Sequence, residues 1–102
     1  MSRYSDLVQE LKDALTAPGG DTAVALRRAL LDGRISEAPA TLGPYVEKVR
    51  RQAWNVTDED VAGLTRAGYT EDQIFEVTCS SAVGAALMRM DRALTVVKES
   101  AR

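Results

Sequence analysis

An all-α domain of about five helices is what this sequence predicts, and three observations carry that expectation. Alanine, leucine and valine dominate, while the aromatic residues (Tyr4, Tyr45, Trp54, Tyr69 and Phe75) are few, a palette that suits close helix packing better than a pleated sheet. Thr57-Asp58-Glu59-Asp60 and Thr70-Glu71-Asp72-Gln73 both place a hydroxyl residue ahead of acids, the pattern that starts a helix. From Val77 to Met88, twelve residues pass without a charge in a chain that is 27% charged overall. A helix apolar on every side has to be buried on every side. The 102 residues amount to one small domain that buries about two thirds of its unfolded surface, so association with further copies is a natural source of added stability.

The elements follow in order. Ser5 is suited to cap a first helix with Leu7, Val8, Leu11, Ala14 and Leu15 on one face, and Pro18-Gly19-Gly20 stops it. Asp21 or Thr22 opens a second helix through Val24, Leu26, Leu30 and Leu31, closed by Gly33, after which Ser36 to Gly43 reads as a linker. The division is therefore residues 1–35 with two helices, residues 36–43 as a linker, and residues 44–102 as the main helical core. Pro44 suits the first turn of a third helix from Tyr45 to about Trp54, with Val46, Val49 and Ala53 inward and Lys48, Arg50 and Arg51 outward. Thr57 caps a fourth helix whose apolar face is Val61 and Leu64, and Gly68 is placed as its left-handed C-cap.

The last helix is expected from Glu71 to about Lys98, with no proline and one glycine, a length of roughly 40 Å at 1.5 Å per residue. A globule of this chain length is only about 34 Å across. The helix should therefore project or be clasped by another subunit. Phe75, Cys79, Ala82, Val83, Ala86, Met90, Ala93, Leu94 and Val97 form one apolar stripe, while Ser81, Gly84 and Ala85 on other faces permit close approach of a second helix.

The net charge of −2 has both signs interspersed, which offers no broad positive field to nucleic acid or an anionic membrane. Arg27-Arg28 and Lys48-Arg50-Arg51 read as solvated helix faces. The uncharged run is shorter than the roughly 18 residues of a membrane span. With one cysteine and no apolar leader at residues 1–6, a cytoplasmic location is expected. The absence of histidine and the single thiol argue against a metal site, and no cofactor is expected.

Cys79 is the candidate nucleophile, although its place on an apolar stripe reads equally as core. Glu76, one turn earlier, is a candidate proton acceptor or else a dipole-favoured acid paired with an arginine such as Arg50, Arg51 or Arg66. Trp54 and Tyr69 are candidates to line a small ligand pocket near it, or simply core.

From Pro44 to Leu94 the chain resembles the alkylhydroperoxidase (AhpD)-like and carboxymuconolactone decarboxylase-like superfamily. The likeness rests on Val56-Thr57-Asp58-Glu59-Asp60-Val61-Ala62-Gly63-Leu64, on Ala67-Gly68-Tyr69-Thr70-Glu71-Asp72-Gln73-Ile74-Phe75-Glu76-Val77, and on the helix ending Met88-Arg89-Met90-Asp91-Arg92-Ala93-Leu94. The resemblance implies a bundle around a long central C-terminal helix, and a homo-oligomer, trimer or hexamer. Its peroxidase members use a Cys-x-x-Cys pair with histidine and glutamate, whereas Cys79-Ser80-Ser81-Ala82 lacks the second cysteine and no histidine exists. What the resemblance leaves is one-cysteine peroxidase-type chemistry at Cys79 assisted by Glu76. The other reading is a non-enzymatic oligomeric helical module that binds a small apolar ligand or a partner protein.

Overall fold

The computed structural model describes residues 2–101, and among them the regular structure is helical. Five α-helices follow one another: α1 Ser2–Leu15, α2 Val24–Leu31, α3 Gly43–Gln52, α4 Asp58–Arg66 and α5 Glu71–Ser100. Short 3-10 turns at Ile35–Glu37 and Ala53–Asn55 join α2 to α3 and α3 to α4.

The ends of α4 and α5 follow directly from side-chain chemistry. Thr57 and Asp60 close a reciprocal capping box on α4, and Thr70 and Gln73 do the same on α5, so each helix start has backbone donors satisfied by its own first turn. Gly33 and Gly68 adopt φ of +81° and +102°, the left-handed conformation that ends a helix without strain only at a residue lacking Cβ.

Leu30, Leu42, Tyr45, Val46, Val49, Leu64, Ile74 and Val77 form the core, between α2, α3, α4 and the N-terminal half of α5. Burying each of these aliphatic side chains contributes about 1.5–3 kcal/mol. The Tyr45 hydroxyl meets Thr78 Oγ1 at 2.7 Å, and Thr78 also donates to the Ile74 carbonyl at 2.6 Å, so the polar end of a core aromatic is satisfied. Ser80 and Ser81 are fully buried, and their side-chain hydroxyls have no hydrogen-bond partner among the described residues. A buried hydroxyl left unpaired costs about 1–3 kcal/mol. Ser80→Ala is therefore expected to raise the unfolding free energy by about 1 kcal/mol, measured by urea denaturation; a loss of stability would mean that the hydroxyl is satisfied after all.

Several sequence expectations are corrected here. Helix α1 already includes Ser2, so Ser5 lies inside it rather than capping it. Helix α2 starts at Val24 without a side-chain cap, because Asp21 and Thr22 are drawn into a contact with α5 described below. Leu42, from the stretch read as a linker, is fully buried in the core. Helix α3 ends at Gln52, so Ala53 falls in the 3-10 turn and is exposed, while Arg50 on α3 is buried, the reverse of the expected order, since the long side chain reaches carbonyl acceptors in the interior.

The uncharged run of α5 is not buried on every side as expected, since Ala82, Ala86 and Met88 are exposed, whereas Ser81, Gly84 and Ala85 do admit a second helix. The buried positions of α5 are Ile74, Val77, Ser80, Ser81, Gly84 and Ala85, the face of small residues, and the helix that approaches there is α2 of the same chain. The opposite stripe remains open: Phe75 is 68% exposed, Met90 47% and Val97 61%, and Ala82, Ala86 and Ala93 are exposed as well. Because α5 runs for 30 residues, it sets the 52 Å long axis of a molecule that measures 30 × 21 Å across. Its distal half projects beyond the core, as the length argument anticipates. Even so, no helix among the described residues is long and apolar enough to cross a membrane.

Candidate functional site

Glu76 sits in the second turn of α5, where it faces the loop between α1 and α2. The amide of Asp21 donates to its Oε2 at 2.7 Å, and the amide and hydroxyl of Thr22 donate to Oε1 at 2.8 and 2.5 Å. Arg27 Nε lies 3.7 Å from Oε1. These contacts hold the Glu76 carboxyl below the usual glutamate range, the Asp21 amide first, then the Thr22 hydroxyl, with the Arg27 charge a smaller cause. Three donors on one carboxylate make it a latch and a weak base. The arginine that pairs with it is none of Arg50, Arg51 or Arg66.

Arg27, expected on the surface, is 5% exposed. Its Nη1 donates to the carbonyls of Leu15 and Ala17 at 3.0 and 2.9 Å, and its Nη2 to that of Thr22 at 3.1 Å. One guanidinium thus collects the end of α1 and the loop that follows it. Gly20 makes room for this: a Cβ there would stand 3.0 Å from both Arg27 Cζ and Glu76 Oε1. The glycine that stops α1 also admits the ion pair.

Cys79 is half-buried, on the flank of the open stripe of α5. Trp54 is 79% exposed in the turn after α3, and Tyr69 packs against the core with its hydroxyl 2.6 Å from Thr41 Oγ1. The structure does not gather these residues. Of four surface cavities formed by the described residues, none is lined by Trp54, Tyr69, Glu76 or Cys79. No protein family, curated protein or solved structure matches this chain.

Two other features show organisation that the sequence reading missed. The first is a cavity of about 310 Å³ between the end of α2, α3 and the middle of α5, lined by Arg50, Arg51 and Arg89 together with Glu47, Met88 and Gly33. Arg50 is 9% exposed. Its Nη1 donates to the carbonyls of Leu30 and Ser81 at 3.1 and 3.3 Å, and its Nη2 lies 2.9 Å from Met88 Sδ. Burial, and then the nearby Arg89, make its protonated form less favourable than in water. Proximity in space of α3 and α5 creates this cluster, and no spacing along the chain announces it.

The second feature is the open stripe itself. Phe75, Cys79, Ala82, Ala86, Met90, Ala93 and Val97 follow one another at spacings of four, three, four, four, three and four. That is an 11-residue repeat taken twice, 3.67 residues per turn, the period at which helices pair straight or with a slight right-handed supercoil. A cavity of about 550 Å³ opens beside it, where Tyr4 of α1 faces Met90, Leu94 and Thr95 of α5.

Proposed function

We propose that this chain is a non-enzymatic helical assembly module, whose α5 packs antiparallel along its open stripe against α5 of a second copy. The observation that carries this reading is the 11-residue apolar repeat, continuous over the 23 residues from Phe75 to Val97 and largely uncovered in the single chain. Apolar side chains in a regular stripe of this length mark an interface rather than scattered surface residues.

Charge supports a second copy in the antiparallel sense. From Glu71 to Ala85 the helix carries Glu71, Asp72 and Glu76 and no base, while from Ala86 to Ser100 it carries Arg89, Arg92 and Lys98 against Asp91 and Glu99. Parallel pairing would stack the acidic ends together. Antiparallel pairing sets acidic ends beside basic ones and opposes the two helix dipoles. A two-fold axis at Ala86 then matches Phe75 with Val97, Cys79 with Ala93 and Ala82 with Met90, so a larger side chain meets a smaller one at each level.

The test has two parts. Light scattering after size exclusion is expected to give a dimer, or a higher assembly of even order, of the 11.0 kDa chain. Under mild oxidation, Ala93→Cys is expected to cross-link to the partner subunit's Cys79, at least tenfold faster than the wild type cross-links through Cys79 alone. A monomer at micromolar concentration would overturn assembly altogether. A trimer, or a disulfide between two copies of Cys79, would overturn the antiparallel arrangement.

A further inference from the structure

We infer that the cavity between Arg50, Arg51 and Arg89 is a binding site for a phosphate group, carried free or on a small molecule. Three guanidinium groups line it, against one carboxylate, that of Glu47. Glu47 is already engaged by Arg51, whose Nε lies 3.0 Å from Glu47 Oε2. None of the ion pairs among the described residues includes Arg50 or Arg89.

Arg50 is the informative member. A buried guanidinium ordinarily faces a carboxylate, because an unpaired buried charge is costly. Here its partners are two carbonyl oxygens and a thioether. The Leu30 carbonyl belongs to the last turn of α2, so the negative end of that helix offsets part of the charge. It offsets none of Arg89, whose guanidinium donates to the backbone carbonyl of Arg50 itself. The site therefore holds an excess of positive charge beside an open volume of about 310 Å³, at the small end of the range for ligand sites.

A phosphate oxyanion fits this chemistry best, since it carries up to two charges and accepts from several planar guanidinium forks at once. Gly33 keeps the entrance clear: a Cβ there would stand 3.1 Å from Met88 Sδ and 3.2 Å from Arg50 Nη2. Ile35, Ala85 and Met88 add an apolar wall for a short carbon skeleton.

Calorimetric titration of the wild-type chain with inorganic phosphate and with glycerol 3-phosphate, in chloride of matched ionic strength, tests the site. Binding is expected for at least one, with the Kd about tenfold weaker in Arg51→Gln and again in Arg89→Gln. Arg28→Gln, at an exposed position on α2, is expected to bind as the wild type does. Tighter binding of glycerol 3-phosphate would identify a phosphomonoester as the ligand, and tighter binding of inorganic phosphate the free ion. Arg51 is exposed and its ion pair among the described residues is with Glu47 alone, so Arg51→Gln keeps the test valid should Arg89→Gln fold poorly. No heat of binding for either probe, or equal affinity in the wild type and Arg51→Gln, would overturn the assignment.

Discussion

A single methyl group placed on Gly84 is expected to lower the unfolding free energy by about 2 kcal/mol, although the same change in an open helix would raise it by about 1 kcal/mol. The sign is decided by where α2 ends. A Cβ on Gly84 would stand 2.5 Å from the Leu31 carbonyl oxygen and 2.9 Å from both the Leu30 carbonyl oxygen and Leu31 Cα. These are backbone atoms, which cannot rotate aside as a side chain would. Relief requires α2 to move off α5, and α2 brings the fully buried Leu30 and the buried Ala29 and Leu31 with it. Overpacking of this kind costs about 1–3 kcal/mol, the upper end applies where backbone is struck, and the propensity gain of roughly 1 kcal/mol offsets a part. Urea denaturation of Gly84→Ala and of the wild type measures the difference. Equal or greater stability would mean that α2 and α5 are less closely packed than described.

Glu76→Ala should be the more damaging substitution, by about 3 kcal/mol at neutral pH. It orphans the amides of Asp21 and Thr22 and leaves Arg27, at 5% exposure, without its carboxylate. The 3.7 Å separation of that pair and the 21% exposure of the Glu76 side chain place the cost at the low end for a broken buried pair.

The same latch has a pH signature, which the isosteric Glu76→Gln isolates. Because the folded-state pKa of Glu76 is depressed, its stabilisation is complete above the ordinary glutamate range of the unfolded chain and is lost as pH falls through the lower folded value. Asp60, held down by Lys48 and the Thr57 amide, acts in the same direction. Asp21 is raised, by desolvation and by the carboxylates of Asp72 and Glu76, and so opposes them from an exposed position. The stability gap between wild type and Glu76→Gln is therefore expected to narrow from pH 6 to pH 3. A gap independent of pH would show that the carboxylate charge contributes nothing.

How much of this was legible in the sequence follows from the range of each interaction. The capping boxes at Thr57 and Thr70 and the left-handed Gly33 and Gly68 are local, written within four residues, and sequence reasoning places them correctly. The excess length of α5 is legible too, because helix rise and globule size are general quantities. What fails is the expectation of burial on every side. The small-residue stripe and the larger apolar stripe of α5 are both periodic, and periodicity alone does not say which one meets the chain's own α2. Gly84 marks it, since there the Leu30 and Leu31 carbonyls of α2 come close to the helix backbone. The charged residues fail for a related reason. Arg27 and Arg50 look like neighbours of other surface bases, yet each is buried against carbonyl acceptors of other elements, the end of α1 for Arg27 and the last turn of α2 and the middle of α5 for Arg50. Cys79, Trp54 and Tyr69 remain apart from one another and from the arginine cavity, so the chemically distinctive residues of the sequence are not those around which its polar sites are organised.

The attachment of α1 deserves a kinetic reading. Leu7 and Leu11 remain exposed, and the polar attachment of its end to the rest of the fold is gathered at Arg27 through the carbonyls of Leu15 and Ala17. A segment with few buried side chains and one polar clasp forms its own low-energy unit of opening. Amide hydrogens of α1 should therefore exchange with solvent through local detachment, while those of α2, α3 and the first half of α5 wait for global unfolding. In a paired assembly such a segment can leave its own core and settle on the neighbour's without either core dissolving, so subunits that share a long helix could also trade their first one.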